Sequence, residues 1–198
     1  MRVTGVIQAG GKSTRMGGRP KALIELGGRR IVERVVAALA PAVDDVLIVT
    51  NTPELYAFLG LPTVADVYPD HGSLGGIYSG LKAVAGEVVF TVACDMPFLH
   101  PEVVRLVVAR AAQGDVVIPR VGRQLETLHA AYGKACLPHI EERLLAGELK
   151  IVGFFDRVRV IEIDEADVAR FRDPTVAFMN VNTPDELERA RSLVAELR

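Results

Sequence analysis

The strongest constraint on the fold is an alternation: short, unbroken apolar runs are separated by segments of helical character. Val3–Gln8 (VTGVIQ), Asp45–Thr50 (DVLIVT) and Glu87–Ala93 (EVVFTVA) are such runs. Apolar runs of this length without polar alternation read as strands buried on both faces. Thr63–Ala65, Asp115–Pro119, Gln124–Tyr132 and Arg157–Ile163 read as further strands. Ile31–Leu39, Pro53–Leu59, Ile77–Val84, Ala135–Leu145 and the segment from Pro101 to Gly114 read as helices. Near the C-terminus Thr183-Pro184-Asp185-Glu186 forms an S/T-x-x-E capping box with Pro at the first helical position. The helix it opens carries Leu187, Ala190, Leu193, Val194 and Leu197 on one side. Buried strands alternating with helices predict an α/β protein: three layers, α/β/α, around a mostly parallel, Rossmann-like sheet. No linker or repeat interrupts residues 1–198, so a single domain is expected. Sheets of this kind bind ligands at the carboxyl ends of their strands. Candidate functional residues are therefore those just after each strand.

The first such loop lies in GVIQAGGKSTRMGG, residues 5–18. A P-loop needs four residues between its glycines, whereas Gly5 and Gly11 are separated by five. The dinucleotide pattern G-x-G-x-x-G is absent as well. What the loop supplies is Gly10-Gly11, where backbone can approach a ligand closely, and the donors Lys12, Ser13, Thr14, Arg15, Arg19 and Lys21. Arg matches phosphate oxygens with a planar fork and Lys with a mobile point charge. A solvated basic loop is the plainer alternative, but Lys12, Arg15, Arg19 and Lys21 directly after a buried strand favour a phosphate cradle. The formal net charge of −2 excludes a global field for nucleic acid, so a polyanion must be held by such a local cluster or by a metal. Cys94 and Cys136 lack the spacing of a zinc site or disulfide framework. No signal peptide precedes the first strand and no apolar run nears the roughly 18 residues of a membrane span, so a soluble cytoplasmic protein is expected.

The pattern Ala9-Gly10-Gly11, then Arg15-Met16-Gly17 and Lys21, resembles the nucleotide signature of the nucleotide-diphospho-sugar transferase-like fold. Its Arg-Met-Gly form is similar to that of the molybdenum cofactor guanylyltransferases. Asp66, the stretch GSLGG at residues 72–76, Cys94-Asp95-Met96-Pro97 and Asn180-Val181-Asn182-Thr183-Pro184 agree with that branch. The resemblance implies transfer of GMP from GTP to the terminal phosphate of molybdopterin, with release of pyrophosphate. It implies Arg15, Lys21 and Asp95 as catalytic residues and Mg²⁺ on Asp95. It implies Gln8, Ala9, Gly10, Gly11, Lys21, Asn51, Asp66, Gly75 and Asp95 around the nucleotide, and Asn180 and Asn182 toward the acceptor. GTP and the molybdopterin cofactor are the implied partners, along with proteins that deliver or receive that cofactor.

The residues themselves leave some of this open. Asp95 follows a strong strand, where a carboxylate can anchor a cation on a triphosphate; it can also cap the turn before Pro97. Asp66 reads equally as a turn residue. Asn180 and Asn182 share a face if the chain there is extended, or they form a turn before the helix. Of the four histidines, His71, His100, His129 and His139, none has metal-ligand spacing; His129 can face the cleft. Glu126 and Tyr132 share its strand and read as sheet packing with one polar side. No general base is needed, because a phosphomonoester is largely dianionic at pH 7. The rivals are a transferase that uses CTP or another phosphorylated acceptor, and a non-catalytic nucleotide-binding protein on the same fold.

Overall fold

The computed structural model describes residues 1–10 and 20–196. In chain order the elements are β1 (Val3–Gln8), β2 (Glu25–Leu26), β3 (Arg29–Arg30), α1 (Ile31–Leu39), β4 (Asp45–Val49), β5 (Thr63–Val64) and α2 (Gly72–Ala83). They continue as β6 (Val88–Ala93), α3 (Pro101–Arg110), β7 (Val116–Val121), β8 (Gln124–Leu125), β9 (His129–Gly133) and α4 (Leu137–Leu145). The chain ends with β10 (Val160–Ile163), α5 (Glu165–Ala169), α6 (Pro174–Ala177) and α7 (Pro184–Glu196). The main sheet runs in the order β10-β7-β9-β6-β1-β4-β5, with β8 paired to β7 off that path. On this path only β9 runs antiparallel to its neighbours, so the sheet is mixed but mostly parallel.

Every residue of β1 and β6 is buried, as their unbroken apolar runs require. One face packs Ile7, Ile48, Phe90 and Val92 against Val32, Val35 and Leu39 of α1 and Val103, Val104 and Val107 of α3. The other face packs Val6, Leu47, Val49 and Ile118 against Leu74, Ile77 and Leu81 of α2 and Ile140 and Leu144 of α4. These are the outer layers of an α/β/α sandwich.

Three expectations shift. The strand expected over 124–132 is broken at Glu126–Leu128, because Glu126 N–H donates to Pro119 O (2.9 Å) and Thr127 N–H to Leu125 O (3.0 Å), which turns the chain before β9 restarts. The helix expected over 53–59 is two separate 3₁₀ turns, split at Tyr56, whose ring is buried. The helix expected from Ile77 already begins at Gly72, with GSLGG as its first turn.

A small hairpin, β2–β3, is legible only in retrospect. Its turn is Gly27-Gly28, both at positive φ (63° and 81°), the conformation a two-residue hairpin demands. Leu26 and Ile31 from this region join Phe98, Met179, Val181, Leu187, Ala190 and Val194 in a separate apolar cluster beside the main sheet. That satellite core fastens α7 and the segment before it to the loop after β6.

Candidate active site

The carboxyl edge of the sheet collects Ala9 after β1, Thr50 after β4, Asp66 after β5 and Asp95 after β6. Because β9 is antiparallel, it brings Glu126–Leu128, which precede it, to the same edge. Two clusters form there, on either side of β1.

The first lies around β1, β4, β5 and the start of α2. Ala9 N–H donates to Val49 O (2.9 Å), and the buried Thr50 hydroxyl donates to Ala9 O (3.1 Å), which fixes the exit of β1. Asp66 N–H donates to the Asn51 side-chain oxygen (2.9 Å), and Asn51 Nδ2 and the Ser79 hydroxyl each lie 3.4 Å from a carboxylate oxygen of Asp66. Burial raises the Asp66 carboxyl above its ordinary range, and the Ser79 and Asn51 donors pull it back. A Cβ on Gly10 would sit 3.5 Å from Asp66 Oδ2, so Gly10 brings bare backbone beside this carboxylate. Gly75 has a similar use: a Cβ there would lie 3.1 Å from Tyr68 O and 3.2 Å from His71 Cβ, so glycine eases the close approach of α2 to the loop that carries Asp66. The α2 N-terminus adds the positive end of its dipole to this corner. The Gln8 side chain is turned into the layer between sheet and α2, where Nε2 donates to Thr91 Oγ1 (3.0 Å). What Gln8 offers the edge is main chain.

The second cluster joins residues far apart in sequence. Lys21 Nζ donates to Asn182 Oδ1 (2.8 Å), linking the exit of the glycine-rich loop to the segment before α7. Val181 N–H donates to Asp95 O (3.0 Å), which stitches that segment to the end of β6. Val181 is buried in the satellite core while Asn180 and Asn182 are partly exposed. The expected capping box is present and extended: Glu186 accepts from Thr183 N–H (2.9 Å) and Asn182 N–H (2.6 Å), and Glu186 N–H donates to Thr183 Oγ1 (3.2 Å). Burial raises the Asp95 carboxyl, Lys21 lowers it, its own backbone N–H lowers it further, and Glu186 adds a smaller rise. The adjacent Cys94 thiol is pushed up to about 12, chiefly by burial and then by Asp95, so it is no nucleophile.

Asp95 is thus a partly buried carboxylate whose charged form burial disfavours and Lys21 favours. Among the described residues, no three His, Cys, Asp or Glu side chains are grouped to hold a metal by themselves. That donor set fits a hard cation which takes one protein carboxylate and completes its shell with substrate phosphates.

Residues 5–160 match the family described as MobA-like NTP transferase domain. The chain belongs to the MobA-like NTP transferase family. It is 39% identical over its whole length to a probable molybdenum cofactor guanylyltransferase of Pelotomaculum thermopropionicum, covering 96% of that protein. It is 37% identical to the molybdenum cofactor guanylyltransferase of Desulfosudis oleivorans, over 97% of this chain and 96% of that one. Among solved structures it resembles molybdopterin-guanine dinucleotide biosynthesis protein A of Archaeoglobus fulgidus, with a TM-score of 0.84 and 26% identity over 98% and 99% of the two chains. The MobA-like fold therefore accounts for the mixed, mostly parallel sheet whose carboxyl edge carries these residues.

Of the residues singled out in the sequence, this MobA-like chain gathers Gly10, Asn51, Asp66 and Gly75 in one corner and Lys21, Asp95 and Asn182 in the other. Gly11 and Arg15, with Lys12, Ser13, Thr14 and Arg19, lie outside the described residues. Sequence reading missed Thr50, Ser79 and Thr91, three hydroxyls that hold site backbone or side chains. Their only signal was a polar residue inside an apolar run, as in VVFTVA. His129 does not face the cleft. Its ring is fully buried edge-on between Phe90 (5.0 Å) and Phe178 (4.7 Å), and burial lowers it to about 3. Among the described residues, no helix is long and apolar enough to cross a membrane.

Proposed function

We propose that this chain, as one nucleotidyltransferase domain, transfers GMP from GTP to the terminal phosphate of molybdopterin and releases pyrophosphate. The names of its near full-length relatives support this reading. The geometry that carries it is the convergence of Lys21, Asn182 and Asp95, drawn from three distant segments, at the carboxyl edge. In this reading the corner built from Gln8, Ala9, Gly10, Asn51, Asp66 and Gly75 holds the nucleoside, with Gly11 of the loop beside it. Arg15 and Lys21 contact the triphosphate, and Asn180 and Asn182 the acceptor.

The chemical obstacle is repulsion between two polyanions. Like unit charges ~4 Å apart repel by about 4 kcal/mol at an effective dielectric of 20. Asp95 would hold a divalent cation, Mg²⁺ in this reading, which would supply neutralising charge to the phosphates. Lys21 brings a further positive charge beside Asp95. To meet a phosphate, its ammonium exchanges the Asn182 oxygen for a phosphate oxygen, which frees the amide for the acceptor. The α2 N-terminus and the backbone beside Gly10 offer N–H donors without side-chain obstruction. The acceptor phosphate needs no proton removed, so no residue has to act as a base.

Pyrophosphate release with GTP, Mg²⁺ and molybdopterin tests the reading. Release with GTP and none with CTP or ATP is expected. Binding of GTP without release, once molybdopterin is supplied, would make the chain a nucleotide-binding protein and not a transferase.

A further inference from the structure

The loop between β5 and α2 carries Asp66, and main chain, more than the carboxylate, sets where it lies. Both contacts of the carboxylate are long, at 3.4 Å from Asn51 Nδ2 and from the Ser79 hydroxyl. The main-chain ties are shorter: Asp66 N–H donates to Asn51 Oδ1 (2.9 Å) and Val67 N–H to Ser79 Oγ (2.9 Å). The next residue, Tyr68, has an anchor of its own. Its hydroxyl donates to Glu141 Oε1 (3.2 Å), and the Tyr78 hydroxyl donates to the same oxygen. Tyr78 is a buried residue of α2 and Glu141 belongs to α4, so one carboxylate oxygen joins both helices to the loop. The Tyr68 and Tyr78 rings meet edge to face, with centroids 5.3 Å apart.

This tie reaches the corner that holds Asp66 and Gly75 in two ways. Tyr68 follows Asp66 by two residues, and its carbonyl oxygen lies 3.1 Å from where a Cβ on Gly75 would be. A shift of Tyr68 therefore moves the main chain that places Asp66 and changes the gap beside Gly75. The Tyr78 donor, with a smaller share from Tyr68, holds the Glu141 carboxyl below its ordinary range, so it stays a charged acceptor for both hydroxyls. We infer that Glu141 is a positioning residue for the nucleotide: through Tyr68 it fixes the Asp66 loop against the first turn of α2. The inference rests on the guanylyl-transfer reading, which puts the nucleoside in that corner, and adds a residue of the outer helical layer to its nucleotide half. The reacting half is held by other ties, from Lys21 to Asn182 and from Val181 to Asp95, so the two substrates are expected to respond differently.

The test is calorimetric titration with GTP and Mg²⁺, together with the molybdopterin KM from pyrophosphate release at saturating GTP. Glu141→Ala and Tyr68→Phe are each expected to weaken GTP about fivefold, the scale of one net hydrogen bond, with the molybdopterin KM unchanged. Tyr68→Phe keeps the ring and so guards against a folding defect. Glu141→Gln keeps an accepting oxygen and is expected to stay within about twofold of wild type. Tyr78→Phe removes the same group from α2 instead of the loop, and is expected to weaken GTP less than Tyr68→Phe does. A wild type that binds GTP, with Glu141→Ala and Tyr68→Phe binding it as tightly, overturns this inference alone. So does an equal loss for GTP and molybdopterin, which would make the network general support for the fold. A wild type that binds GTP but releases no pyrophosphate overturns the transfer step, while the GTP titrations still decide the role of Glu141. A wild type that binds no GTP overturns both.

Discussion

The two halves of the cleft are built in opposite ways. The corner proposed for the nucleoside is made of neighbours in parallel strand–helix units: Gly10, Asn51, Asp66 and Gly75 each follow a strand or open the next helix, and Asn51, Asp66 and Ser79 are already bonded to one another. The reacting half is made of segments that meet only in the finished fold. Lys21 reaches Asn182 across 161 residues, and a satellite core, not the main sheet, holds them in register. A preformed corner suits a ligand part that must be recognised. The looser half suits groups that must exchange partners, as proposed for Lys21 between Asn182 and phosphate.

Asp95 is where this contrast can be broken most sharply. Asp95→Asn is expected to cut turnover at least about 10³-fold, on the order of 4 kcal/mol of transition-state stabilisation. The main chain there is held through its carbonyl by Val181 N–H, so the fold persists. Because burial disfavours the ionised carboxyl, the amide is expected to leave stability equal or slightly higher. Turnover and thermal melts on one preparation check both. Near-normal turnover would remove Asp95 from the chemistry.

The satellite core offers the next largest effect. Leu26 is fully buried in it, and Leu26→Ala is expected to cost about 3 kcal/mol. If that core supports the reacting half by itself, amide exchange quickens first in α7 and residues 179–182, while β4 and β5 stay protected. Uniform loss of protection would mean that the two halves share one cooperative support.

The same contrast explains what the sequence discloses. The strands after which the site residues fall announce themselves as unbroken apolar runs, and the capping box at Thr183–Glu186 is a local pattern with a local cause. Asn51, Asp66 and Gly75 sit just after strands or in the first turn of a helix, but the family resemblance is what singles them out. The hydrogen bond from Lys21 to Asn182 follows from nothing local, because it depends on a hairpin and a satellite core whose members are scattered from Leu26 to Val194. His129 misleads for a related reason: strand alternation says which face a residue is on, but not that Phe90 and Phe178 will enclose it there. The break at Glu126 escapes the sequence because a turn inside an apparently continuous strand leaves little mark in composition.

A smaller effect sharpens the contrast at Lys21. Lys21→Ala is expected to weaken GTP about tenfold by calorimetry, roughly 1.4 kcal/mol, because one phosphate contact is lost while the nucleoside corner is untouched. An unchanged dissociation constant would confine Lys21 to the acceptor side.

The smallest expected effect compares two half-buried carboxyls. Asp66 and Glu126 are both raised by burial, but Asp66 keeps the Ser79 and Asn51 donors, whereas burial is the sole influence on Glu126. A carboxyl lifted from 4.5 to about 7 in the fold favours the folded state fully below the lower value. That contribution is lost as pH rises through about 7. Glu126→Gln cannot titrate, so its stability curve is expected to match wild type near pH 4.5 and to lie above it at pH 8. The gain is about 1–2 kcal/mol once partial exposure is discounted, or a few degrees in melting temperature for a chain of this size. Melts across that pH range, without ligand, check it. If the two curves stay parallel, a donor already satisfies Glu126 in the free protein, and the two halves of the cleft are more alike than their hydrogen bonds suggest.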